Sequence, residues 1–204
     1  RNSQIDYDLL VTELAERFLR NKIRESKNSN GEPWLLYCGY INPHFPLIAP
    51  KELFDLYYND DLPLPATRNE PAASQHPALR RLRHWLRQDE ALPDDLTRKA
   101  LASYYGLITF TDQLIGRLID LVDSGPLAEN TVVIYTSDHG EMGGNHGMWQ
   151  KQCFYEQSVR VPLIMRMPEK LAEQNGIAAG MRIRENVSLV DIAPTLLELS
   201  GCRE

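Results

Sequence analysis

The densest run of chemically capable residues is YTSDHGEMGGNHGMWQKQCFYE, at 135–156. A β-branched segment at 131–138, TVVIYTSD, leads straight into Asp138, His139 and Gly140. In open α/β sheets ligands bind at the carboxyl ends of strands, so Asp138 and His139 stand where a site is expected. A carboxylate oxygen next to an imidazole nitrogen can hold a divalent cation, the aspartate as the hard ligand. Gly140, Gly143 and Gly144 let the chain turn tightly behind them. Lys151 follows thirteen positions after Asp138. A loop of that length can fold back and face its ammonium toward the anion that the metal would bind. An Asp-His-Gly triplet alone is more often a turn and cap than a metal site; the whole run singles it out. His44 is a second candidate, in the proline-rich loop NPHFPLIAP at 42–50. A histidine between Pro43 and Phe45 can be merely packed, but loops after strand ends carry function.

These residues need a scaffold. WLLYCGYI at 34–41 reads as a buried strand ahead of the His44 loop. Strands are also read at 131–138, at 159–167 (VRVPLIMRM) and at 185–191 (ENVSLVD). Helical spacing marks 5–25 through Leu9, Leu10, Leu14, Phe18 and Ile23. The polar run KNSNGEP at 27–33 stops it. Leu101, Tyr105, Ile108, Ile115, Leu118, Ile119 and Val122 mark a helix from Asp94 to Val122, with Asp94 and Asp95 suited to its first turn. Residues 51–58 allow one or two helical turns, and 191–201 read as a short helix with Asp191 as cap. Residues 59–78 have no period and read as a long loop or insertion. The stretch LRRLRHWLR at 79–87 reads as a helix with a solvated basic face. The order of elements predicts an α/β domain with a mixed, largely parallel sheet flanked by helices.

Composition narrows the function classes. The 204 residues are 43% apolar and 25% charged, which excludes disorder and collagen-like repeats. A net charge of −6 gives no domain-wide basic footprint, so no nucleic-acid partner is expected. No apolar run reaches the roughly 20 residues that span a bilayer. The opening RNSQIDYD is polar and reads as no leader, so the chain reads as an excised or processed product, or as a piece of something longer. Cys38, Cys153 and Cys202 make neither a disulfide framework nor a zinc ribbon. His76 and His84 receive no role, and Cys153 reads as a buried free thiol rather than a zinc ligand. Asn186 opens a formal glycosylation triplet but heads a predicted strand, so it is discounted.

The run SDHGEMGGNHGMWQKQCFYEQSVRVPLIMR resembles the metal-and-lysine segment of the type I sulfatases, in the alkaline phosphatase superfamily. NPHFPL at 42–47 resembles that family's His-x-Pro loop, FTDQLIGRLID at 110–120 the helix before its metal strand, and NVSLVDIAPTLLELSG at 186–201 the segment closing its catalytic domain. The matches run in order from about 34 to 201. The Asp138-His139 pairing is similar to the choline-sulfatase and phosphonate-monoester-hydrolase branch.

The resemblance implies roles. Asp138 and His139 would be two ligands of one divalent metal, calcium first, with manganese or magnesium as alternatives. Lys151 would hold a sulfate oxygen, His44 would contact the sulfate or the leaving oxygen, and His146 would be a substrate contact. The substrate would be a small sulfate ester. A phosphonate-monoester or phosphodiester hydrolase, or a non-catalytic sulfatase-like binding domain, are the alternatives. The family nucleophile is a formylglycine made in a Cys/Ser-x-Pro-x-Arg motif, which these residues do not contain. The family's first pair of metal carboxylates is absent too. The chain therefore reads as the later, incomplete part of one catalytic domain over 1–204, with weak metal affinity and no meaningful turnover alone. The resemblance leaves open a homo-oligomer in full-length form, and both a cytoplasmic and an exported location.

Overall fold

The computed structural model describes residues 3–26 and 33–201. Most of the polar stop at 27–33, and Cys202, lie outside the described residues. Helix α1 spans Ser3–Glu25 and α4 spans Asp94–Asp123, and the two pack together. The buried stripe of α1 is Asp8, Thr12, Ala15 and Leu19, a spacing of four, three and four that keeps one face inward. This corrects the expected face: Leu10 and Leu14 point outward. Two inward positions, Asp8 and Thr12, are polar because their partners are the main chain and side chains of a site loop. Leu19, Val122 and Leu127 form the nearby core, with Phe18, Trp34, Leu36, Leu118 and Val133 packed on it. Phe18 and Trp34 meet edge to face, 5.5 Å apart.

Short α2 (Lys51–Asp55) lies across α4. Gly106 permits the approach, since a Cβ there would sit 3.0 Å from the Leu53 carbonyl carbon. Helix α3 spans Pro77–Trp85, and the side chain of His76 accepts from Ala78 N–H at its start. At the start of α4, Asp94 serves as an ion-pair partner of Arg68 (2.8 Å) rather than as the cap.

Strands β1 (Val133–Thr136) and β2 (Leu163–Arg166) pair antiparallel, with Val133 opposite Arg166 and Thr136 opposite Leu163. The α/β class holds, but this is the one ladder among the described residues, and it is antiparallel. The largely parallel sheet expected from the element order is not formed among them. Residues 34–37 alternate as a strand does: Trp34 and Leu36 pack on the core, whereas Leu35 and Tyr37 are 72% and 88% exposed. They are not a strand here because no described residue pairs with them. The strand expected at 185–191 is a 3₁₀ turn at Leu189–Asp191, because the Asp191 carboxylate accepts from Ser188 N–H (2.7 Å) and curls the chain. Helix α7 (Ile192–Leu199) follows with Asp191 as its cap residue. Helices α5 (Glu156–Val159) and α6 (Glu169–Gln174) flank β2 in sequence. Among the described residues, no helix is long and apolar enough to cross a membrane.

Candidate functional site

The His44 loop is held by two helices. On α1, the Asp8 carboxylate is fully buried and accepts three hydrogen bonds, from Ile41 N–H (2.8 Å), Asn42 N–H (3.0 Å) and Asn42 Nδ2 (2.7 Å). Thr12 meets Tyr40 Oη at 3.2 Å. From α4, Thr111 Oγ1 donates to Asn42 O (3.3 Å). An ionised carboxylate is an acceptor only, so three donors converging on it suit its chemistry. The loop therefore presents His44 from a fixed base.

The Lys151 segment is a hairpin-like loop starting from the end of β1. Met142 N–H donates to Gln150 O (2.8 Å) and Gly144 N–H to Met148 O (2.8 Å). Beneath it Met142, Met148 and Cys153 form a second core with Leu79, Leu82 and Tyr155. Cys153 Sγ lies 3.4 Å from Met142 Sδ, as a buried structural thiol does. Gly140 is required at the turn, since a Cβ there would lie 2.0 Å from Gln157 O.

The two segments meet. Lys151 Nζ lies 2.7 Å from His44 Nε2 across 107 residues of chain. His44 Nδ1 lies 2.8 Å from Phe45 O, which assigns the proton to Nδ1 and the Nε2 lone pair to the Lys151 ammonium. The rings of His44 and His139 meet edge to face at 5.7 Å. His139 Nδ1 likewise faces a carbonyl, Gly140 O at 2.8 Å, which leaves its Nε2 with a lone pair. That nitrogen is 3.6 Å from Asp138 Oδ2, and the Asp138 side chain is 85% exposed. An imidazole oriented by a carbonyl on one nitrogen, with a carboxylate beside the other, suits a divalent cation in kind. Among the described residues no group of three His, Cys, Asp or Glu is placed to hold one. Asp138 and His139 thus stand together as two adjacent candidate donors, with no third beside them among the described residues.

His146 stands apart. It sits at the loop tip with left-handed backbone (φ 56°, ψ 24°). Its ring stacks on Tyr155 at 3.9 Å and its Nδ1 meets Glu70 Oε2 at 2.5 Å. No hydrogen bond or ring contact joins it to His44, His139 or Lys151 among the described residues. Three of its partners, Thr67, Glu70 and Gln75, come from the 59–78 segment, which is bonded to this loop. Thr67 Oγ1 accepts from His146 N–H (3.1 Å) and Gln75 Nε2 donates to His146 O (2.9 Å).

Arg83 organises this region, and it corrects the reading of 79–87 as a wholly solvated basic face. It is 1% exposed and donates to the carbonyls of Gln88, Glu70, His146 and Asp89 and to Gln75 Oε1. Burial lowers its pKa, with Asp89 and Glu70 opposing. Sequence reasoning also missed Asp8, Glu70 and Glu141. An acidic residue inside an amphipathic stripe was the available signal for Asp8.

The sulfatase family model matches residues 3–202. The chain is 31% identical over 200 residues to a choline-sulfatase of Rhizobium meliloti, covering 98% of this chain and 38% of that protein. It is 32% identical over 197 residues to a multifunctional alkaline phosphatase superfamily protein of Trinickia caryophylli, covering 90% and 37%. The solved phosphonate monoester hydrolase of Silicibacter pomeroyi superposes with a TM-score of 0.76 at 28% identity, covering 94% of this chain and 38% of that one. The chain thus spans under two-fifths of the length of these relatives. With the family model matching nearly its whole length, the chain belongs to the sulfatase family, in the alkaline phosphatase superfamily.

Proposed function

We propose that this chain supplies the cationic, anion-binding part of a sulfate-ester hydrolase site. The observation that carries the reading is the Lys151–His44 contact at 2.7 Å, made beside His139 by segments 107 residues apart. An ammonium that gives one N–H to His44 Nε2 keeps two more for the oxygens of a sulfate. His44, with Nδ1–H on Phe45 O, would contact the sulfate or the leaving oxygen through Nε2 when that nitrogen carries a proton, since only the imidazolium donates from both nitrogens. Asp138 and His139 would hold a divalent cation, calcium by family resemblance. When bound, such a cation supplies positive charge that polarises the sulfate oxygens. The charge of Lys151 counts most where negative charge grows on the oxygens in the transition state. His146 would be a contact farther along the substrate. The nucleophile has no counterpart among these residues, since no Cys/Ser-x-Pro-x-Arg motif occurs in them.

A second reading, hydrolysis of a phosphonate monoester, is favoured by the likeness to the Silicibacter and Agrobacterium phosphonate monoester hydrolases, at TM-scores of 0.76 and 0.72. Both readings use the same lysine and histidine. The test is turnover by the protein that carries this chain, on p-nitrophenyl sulfate and on p-nitrophenyl phenylphosphonate. Lys151→Ala is expected to lower kcat/KM on the better substrate by about 100-fold or more, with little change in melting temperature. Unchanged kcat/KM overturns the reading, and the wild-type preference chooses between the two substrates.

A further inference from the structure

Lys151 sits between two non-glycine residues with left-handed backbone, Gln150 (φ 72°) and Gln152 (φ 79°). Each such residue costs on the order of 1 kcal/mol and persists only where its surroundings impose it. At Gln150 the surroundings are explicit. Its carbonyl accepts from Met142 N–H at 2.8 Å, and its N–H donates to Glu141 Oε1 at 2.6 Å. The same Oε1 accepts from Gly143 N–H at 3.0 Å. One carboxylate oxygen therefore ties both legs of the loop together, one residue before Lys151.

Glu141 also lies two residues from His139, and by type it could be taken for a further metal ligand. Its geometry argues otherwise. Oε1 is committed to two main-chain amides, and no group of three potential ligands forms around it among the described residues. We infer that Glu141 is a positioning residue: by tying the Gln150 and Gly143 amides it fixes the direction in which Lys151 leaves the loop, and so the Lys151–His44 contact. The inference rests on Lys151 being the sulfate-holding group, and it deepens that reading.

Two substitutions separate reach from charge. Glu141→Gln keeps an oxygen at Oε1 able to accept from both amides and removes the charge. Glu141→Asp keeps the charge and withdraws the oxygens by about one C–C bond, roughly 1.5 Å. A positioning residue predicts that Gln stays within about 3-fold of wild type in kcat on p-nitrophenyl sulfate. It predicts that Asp falls about 10- to 100-fold, the usual range for groups that orient a site residue. A ligand or charge role predicts the reverse order, and that order overturns the inference. Equal loss in both variants overturns it too, as does loss in neither where Lys151→Ala itself lowers kcat.

A second readout needs no turnover. In the ¹⁵N-histidine-labelled protein, the His44 Nε2 resonance reports the ammonium beside it. Glu141→Asp should shift it in the direction that Lys151→Ala does, and Glu141→Gln should leave it near its wild-type position. If Lys151→Ala leaves kcat on both p-nitrophenyl esters unchanged while the His44 resonance follows this pattern, the functional reading fails and the positioning inference stands. If the Asp variant leaves the resonance unmoved, the positioning inference fails, whatever the activity shows.

Discussion

Replacing Asp8 by Asn tests the base of the His44 loop with almost no change of shape. In the native chain Oδ1 accepts from Ile41 N–H and Oδ2 from both Asn42 N–H and Asn42 Nδ2. An asparagine has one oxygen and one NH₂ where the carboxylate has two acceptors. If its oxygen takes the Asn42 side, the NH₂ faces Ile41 N–H, donor against donor. If it takes the Ile41 side, Asn42 can flip and offer its buried, unpartnered Oδ1, but Asn42 N–H then loses its acceptor. Either way one main-chain N–H is orphaned, which costs about 2 kcal/mol. The remaining bonds lose their charge assistance, at about 0.5–1 kcal/mol for the pair. We expect a net loss of about 3 kcal/mol. With a urea m-value of about 2 kcal/mol/M, the midpoint should fall by about 1.5 M. Trp34, packed edge to face on Phe18 in the core between α1 and α4, gives the fluorescence signal of global unfolding. A loss below about 1 kcal/mol, at unchanged m-value, would refute the claim that Asp8 holds the loop.

Further predictions concern other parts of the structure. Arg83→Met should cost about 3 kcal/mol, because it leaves four carbonyls and Gln75 Oε1 with fewer donors, and limited proteolysis should cut 59–89 before α1 or α4. Arg83→Lys should act in the same direction, since an ammonium cannot reach the same fork of acceptors. Gly140→Ala should lower the melting temperature by about 10 °C, since the clash is with main chain at Gln157 and no side chain can yield. Burial pushes Tyr104 up to about 12, so this tyrosine should ionise late in an ultraviolet pH titration. Its protonated form is the one favoured by folding. Its stabilisation is complete below about pH 10 and is lost as the pH rises toward 12, and Tyr104→Phe should flatten that loss.

The site was legible where chemistry and position coincide in the sequence. Asp138, His139 and Lys151 share one run, and His44 stands out between prolines, so their types pointed to a site before any contact was known. Their meeting was not legible, because the Lys151–His44 contact is non-local. Helices α1 and α4 were legible from apolar period, but the inward face of α1 was misjudged. Period counts apolar residues, whereas Asp8 and Thr12 are inside for hydrogen bonds. The strand readings at 34–41 and 185–191 failed for different reasons. The first has the alternation of a strand but no partner among the described residues. The second was overridden by a local bond, Asp191 to Ser188 N–H, that propensity does not weigh. Arg83 escapes a sequence reading because arginine in a basic run is usually solvated, and the acceptors that draw it in come together only in the fold, from Glu70 and Gln75, from Gln88 and Asp89, and from His146.

The separation of His44 and Lys151 along the chain has a consequence for how the site is lost. Closing 107 residues costs about 4 kcal/mol of chain entropy, more than one hydrogen bond returns. The contact cannot hold itself together; it exists only while α1, α4 and the Gln150 turn hold both segments in place. Local fraying of 59–78 would leave it intact, whereas separation of α1 from α4 would abolish it at once. The loss of this contact on heating or in denaturant should therefore follow the global transition of the fold, and its appearance during refolding should come late, after the helices have docked.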